Sequence, residues 1–173
     1  MASLLRLSAL IDALNRAVGR ATGWLVLVAV LISAGNAVSR KTLNLSSNAM
    51  LEIQWYLFAA VFLLCAGYTL LNKEHVRVDL VYARLTRRNQ LLVEIFGTLA
   101  FLLPMVLLIL VLSWPPFIEA WESGEMSSNA GGLIRWPVKL LIPIGFLLLL
   151  LQALSELIKD VAELLGVRSA PAP

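Results

Sequence analysis

Residues 53–72 read IQWYLFAAVFLLCAGYTLLN, a run of twenty residues without one charged side chain. As a helix rising 1.5 Å per residue, this run is about 30 Å long, the thickness of a bilayer's hydrocarbon core. From Phe58 to Leu71 it is apolar nearly all round the helix, so no face is left for water. Three more charge-free runs accompany it: Ala21–Ser39, Ile95–Ile118 and Leu140–Ser155. The last is the shortest, about 24 Å as a helix, and Lys139 and Lys159 stand at its ends, where long cationic side chains snorkel to the interface. The expected fold is therefore an all-α integral membrane protein with four transmembrane helices.

Composition excludes the main rival. Of the 173 residues, 60% are hydrophobic, and the mean hydropathy is +0.84. A soluble bundle of this size needs polar outer faces that these runs lack. The net charge of +3 sits in short segments beside the membrane and reads as topology and contact with membrane lipids, not nucleic-acid binding. With the N-terminus inside, the inner segments hold ten Lys and Arg (Arg6, Arg16, Arg20, Lys73, Arg77, Arg84, Arg87, Arg88, Lys159, Arg168) and the outer segments four (Arg40, Lys41, Arg135, Lys139). This bias predicts an N-in/C-in orientation. The first run is expected to stay as a span, because its leading segment is too long and amphipathic for a cleaved signal.

Within one membrane domain, 1–173, the pattern divides the chain into 3–20, an interfacial helix; 21–39, the first span; 50–72, the second; 73–89, a cytoplasmic amphipathic segment; 90–114, the third span; 115–136, a periplasmic loop; and 137–165, the fourth span with a cytoplasmic extension. In the first segment Leu4, Leu7, Ile11, Leu14 and Val18 share a stripe that either lies at the headgroups or packs on a partner. In the inner segment Val78, Val81, Tyr82 and Leu85 oppose Arg77, Arg84, Arg87 and Arg88, which predicts a second interfacial helix with Arg84, Arg87 and Arg88 at lipid headgroups. Ala29, Ser33 and Ala37 recur at four-residue steps, a spacing that lets helices approach closely, and Asn36 should face protein because a bare amide in lipid is costly. Glu52 reads as an acid in the first turn of the second span, where it suits the helix dipole. Pro104 should bend the third span, and Pro115–Pro116 should bend or break it. Pro137 suits the first turn of the last helix. Beyond Gln152 the pattern turns amphipathic, with Leu154, Leu157, Ile158 and Val161 on one side and Glu156, Lys159, Asp160 and Glu163 on the other.

Little chemistry is on offer. The single histidine, His75, lies at the mouth of the second span, whereas a haem anchor needs a pair of axial ligands. The one cysteine, Cys65, reads as a packing residue. No metal-spaced cluster, Gly-rich phosphate cradle or nucleophile with a base stands in the sequence. Apart from tyrosine and cysteine, no ionisable side chain interrupts 53–72 or 95–118, where a carrier commonly places charge. The chain is expected to be neither an enzyme nor a cofactor protein, and to be unable to move a solute alone.

The segment Glu74-His75-Val76-Arg77-Val78-Asp79-Leu80 resembles the signature of small permease subunits of tripartite ATP-independent periplasmic (TRAP) transporters, the DctQ-like family. The second half carries Gly124-Glu125 with Ser127, then Trp136-Pro137-Val138-Lys139 and Ile142-Pro143-Ile144-Gly145, which are similar to the same family over roughly residues 15–165. That resemblance implies a bacterial inner-membrane, multi-pass scaffold. It would bind a large DctM-like permease subunit and help dock a periplasmic substrate-binding protein for Na⁺-coupled uptake of an organic acid. It implies no substrate-binding, catalytic or metal residue in this chain. His75, Arg77 and Asp79 are then candidates for the partner interface, with Arg77 and Asp79 pairing either with each other or with the partner. Glu119, Trp121, Glu122, Glu125 and Arg135 are candidates for contact with the binding protein, or else belong to a solvated loop. Two rival readings remain: the membrane anchor of a respiratory oxidoreductase, which would carry haem or quinone, and a small transporter that works alone.

Overall fold

The computed structural model describes residues 2–43, 47–73 and 85–167. Four helices in it are long and apolar enough to cross a membrane: α1 (Ala2–Thr42), α2 (Asn48–Leu71), α3 (Arg87–Ser123) and α4 (Trp136–Leu164). Among the described residues no strand forms; Met126 and Ile134 make a lone antiparallel bridge.

Residues 3–20 and 21–39, expected as an interfacial helix followed by a span, are one unbroken helix of 41 residues, about 60 Å long. Its buried positions explain why it does not turn flat. Ser8, Asn15, Thr22, Ala29 and Asn36 recur every seventh residue and all are buried. A seven-residue repeat keeps one seam of a helix against its neighbours over many turns. Of the apolar stripe, Leu4, Leu7 and Leu14 are exposed, Val18 is half-buried and Ile11 is buried beside the seam. The seam of mostly small and polar residues, joined by Ile11, faces the rest of the chain, and the leucines do not.

Helix α2 is divided at Cys65 into Asn48–Leu64 and Ala66–Leu71, and two residues past its end Lys73 takes a left-handed φ of 56°. In α3 the helical ladder is disturbed one turn before Pro104. Residues Thr98–Leu102 form a π-helical turn between Arg87–Gly97 and Leu103–Ser123. Proline has no N–H, and its ring crowds the carbonyl four residues back, that of Ala100; the wider turn there relieves the crowding. At Pro115–Pro116, by contrast, the helix neither breaks nor ends. It continues to Ser123 and stops at Gly124, with φ 61°. An aromatic ladder explains this continuity. Trp114 packs on Phe117, Phe117 on Trp121, and Trp121 edge-on against Trp136 of α4 at 4.6 Å. Rings three and four residues apart stack only if the helix persists through the prolines.

Helix α4 is the hub. It packs against each of the other three spans, whereas α3 packs chiefly on α4. Gly145 makes the closest approach possible: a Cβ there would stand 2.7 Å from the Leu63 carbonyl oxygen of α2. Close backbone contact of this kind is the main source of helix adhesion in lipid, where burial of apolar surface contributes little.

Candidate functional site: the inner and outer clasps

The polar side chains of the bundle gather at its two ends, named inner and outer after the orientation expected from the charge bias. At the inner end, the side of α4 that carries Glu156, Lys159, Asp160 and Glu163 turns toward protein, although its amphipathic pattern suggests solvent. Glu156 and Asp160 are buried, while Leu154 on the opposite side is exposed. The α1 seam meets this side. Ser8 Oγ and Ser155 Oγ lie 2.7 Å apart, and Ser155 Oγ donates to Asp12 Oδ1 at 2.7 Å. Gln152 Nε2 donates to Asp12 at 2.9 Å and to Glu156 at 3.0 Å. Asn15 Nδ2 donates to Gln152 Oε1 at 3.0 Å. Lys159 bridges Asp12 at 3.0 Å and Glu156.

This clasp is a connected network in which one ammonium serves two carboxylates. Each polar group that leaves water needs a partner of this kind, because unpaired burial costs kilocalories. Gly67 makes room for it: a Cβ at that position would collide with Asn15 Oδ1. Two flanking ion pairs close the same end, Arg87 with Glu163 at 2.5 and 2.8 Å and Lys73 with Glu94 at 3.6 Å.

At the outer end the carboxylate of Glu52 holds the loop before α4. It accepts hydrogen bonds from Ser127 Oγ, from Asn129 Nδ2 at 2.8 Å and from the Leu133 backbone N–H at 2.7 Å. Glu52 lies beyond the first turn of α2, so it acts as a loop anchor and not as a dipole partner. Tyr56 donates to the Ile134 carbonyl at 3.0 Å and Asn48 to that of Ala130 at 2.9 Å. Glu125 pairs with Lys139, and Arg135 lies 4.0 Å from the same carboxylate.

The residues singled out by sequence therefore fall into distinct groups. Glu125 and Arg135 belong to the outer clasp. Glu119, Trp121 and Glu122 are exposed on the last turns of α3, with Trp121 held edge-on to Trp136. Ala29 and Asn36 are buried within the chain, whereas Ser33 and Ala37 face outward from it. Arg87 is engaged with Glu163, and Arg88 is exposed. His75, Arg77, Asp79 and Arg84 lie outside the described residues, as does most of the inner amphipathic segment.

The inner clasp is absent from the sequence expectations. A signal for it exists: Ser8, Asn15, Thr22, Ala29 and Asn36 at seven-residue steps on α1, opposite Gln152, Ser155, Glu156, Lys159 and Glu163 at three- and four-residue steps on α4. Among the described residues, no group of three or more His, Cys, Asp or Glu has the makings of a metal site.

Residues 29–163 match the family described as Tripartite ATP-independent periplasmic transporters, DctQ component. No curated protein and no solved structure matches the chain.

Proposed function

We propose a scaffold role for this chain on the premise that it belongs to the DctQ-component family of tripartite ATP-independent periplasmic transporters, and so is a small membrane subunit of such a transporter. In this reading it sits N-in/C-in in the bacterial inner membrane. It binds a large permease subunit, helps dock a periplasmic substrate-binding protein, and supports Na⁺-coupled uptake of an organic acid that the large subunit carries.

One observation carries the proposal. A single helix, α4, contacts every other span and is clasped at both ends, inside through Asp12–Lys159–Glu156 and outside through Glu52 and Glu125–Lys139. A body fixed at two ends resists shear and tilt, which a stationary support for a moving neighbour requires. Exposed Trp24, Trp55 and Trp114 add anchors at interfacial depth. His75, Arg77 and Asp79 face the large subunit in this proposal, and Glu119, Trp121 and Glu122 offer an acidic, aromatic face to the binding protein.

The decisive experiment reconstitutes uptake in proteoliposomes from the large subunit and binding protein, with and without this chain. The expected result is uptake only when all three are present, together with co-purification of this chain with the large subunit. Equal uptake without this chain, or uptake by this chain alone, overturns the scaffold role. In the same assay Asp79→Ala should lower the yield of complex and uptake together; full yield with full uptake removes the signature from the interface.

A further inference from the structure

Two helices finish at the outer end of the bundle, α1 at Thr42 and α3 at Ser123, and they finish on opposite charges. The carbonyl end of a helix carries a partial negative charge, so cations belong in its last turn. Arg40 and Lys41 follow that rule on α1. Helix α3 breaks it. Glu119 and Glu122 lie three residues apart at its end with no basic residue in the last turn, and like charges on neighbouring positions of a helix repel. A break at Pro115–Pro116 would have left both acids in a loop, free of this penalty; the aromatic ladder carries the helix on to Ser123 instead.

None of these four charges is answered within the chain. All are exposed, and among the described residues none of their side chains makes an ion pair or a hydrogen bond. The other charges of the outer end are committed: Glu52 to the loop before α4, and Glu125 to Lys139, with Arg135 beside it. Asn44, Leu45 and Ser46, which lie outside the described residues, carry no charge and supply no counter-ion. The two poles also stand on helices with different neighbours, since α3 packs chiefly on α4, and α1 on α2 and α4. Between the two acids in sequence, Trp121 is 58% exposed with its ring edge-on to Trp136. An aromatic ring already held in place loses little freedom when a partner covers it.

We propose that the two poles orient the periplasmic binding protein as it docks: a patch of lysine or arginine on that protein meets Glu119, Trp121 and Glu122, and a carboxylate patch meets Arg40 and Lys41. The inference rests on the scaffold reading and adds to it the charge pattern of the partner and the direction in which it lands. A partner that offers both patches has one favourable placement, because turning it end for end sets like charges together. Exposed charges act on the rate and orientation of encounter more than on final affinity, and salt screens them.

The test follows, by biolayer interferometry over a series of salt concentrations, association of the binding protein with this chain and its large subunit reconstituted together in nanodiscs. At low salt, reversing either pole (Glu119→Lys with Glu122→Lys, or Arg40→Glu with Lys41→Glu) should slow association about tenfold, and the difference should shrink as salt rises. The neutral pair Glu119→Gln with Glu122→Gln, which cannot repel, should fall between the wild type and the reversal. The proposal falls if association of the wild-type complex ignores salt, or if either reversal leaves the rate unchanged. It also falls if the reversal of Arg40 and Lys41 acts only when the nanodisc contains anionic lipid, which would assign the basic pole to head groups. Co-purification and uptake, measured on the same variants, keep the two readings apart. A chain that co-purifies with the large subunit and is required for uptake, yet whose reversals are silent, keeps its scaffold role and loses this docking surface. A chain that does not co-purify loses both.

Discussion

Lys159 is the residue on which the inner end turns, because its single ammonium serves both Asp12 and Glu156 with only 12% of its side chain exposed. Taking away the shared cation leaves two nearly buried carboxylates facing each other, and uncompensated buried charge costs about 3–5 kcal/mol. Lys159→Met should therefore lower the melting temperature of the purified chain sharply. The triple change Asp12→Asn, Glu156→Gln, Lys159→Met should recover much of the loss, since members of one network are not additive. If the single and the triple variant melt alike, the clasp is not a coupled unit. Glu52 is the outer counterpart, holding the loop through Ser127, Asn129 and the Leu133 amide. Glu52→Gln keeps the size but gives up the charge-assisted acceptor, so hydrogen exchange at the Leu133 amide should accelerate several-fold while α2 and α4 keep their protection. Unchanged exchange would show that Tyr56 and Asn48 hold the loop without it.

Among the elements, α4 depends on Gly145, where the α2 backbone leaves no space for a side chain. Gly145→Leu should push α2 and α4 apart and reduce thermal stability by several degrees, whereas Gly23→Leu, in open space on α1, should be tolerated. Equal effects would mean that the approach at Leu63 is not a determinant of packing. The elements also show what the sequence disclosed. Four apolar runs, the disturbance at Pro104 and the helix start at Pro137 were legible because they rest on composition and on proline's missing N–H. The extents of the helices were not. A bend or break at Pro115–Pro116 is the local expectation, and it is overridden by the edge-on packing of Trp121 against Trp136, a contact between helices that no single run encodes. The junction near residue 20 looks like a change from interfacial to spanning helix because the leucines there are conspicuous. The seven-residue seam that governs the packing is sparse and lies beside the leucines, partly under them, so the leucines mask it. For the same reason the inner clasp is invisible in sequence: a charged helical side reads as facing water unless its partner, here some 140 positions earlier in the chain, is known.

For the molecule as a whole, the two clasps raise the question of whether this chain moves while it works. Transporters achieve alternating access by displacing one body against another, and the stationary body keeps its internal contacts throughout the cycle. If this chain is that body, the inner clasp never opens during uptake. Ser8 and Ser155 make the idea testable, because their Oγ atoms lie 2.7 Å apart, on helices 147 positions apart in sequence. In a chain with Cys65→Ala, the pair Ser8→Cys and Ser155→Cys should form a disulfide on oxidation and bind α1 to α4. Reconstituted with its large subunit and binding protein, the oxidised complex should transport at the rate of the reduced one. A rate that collapses on oxidation and returns with reductant would mean that the clasp must open in each cycle. The chain would then take part in the motion instead of bearing against it.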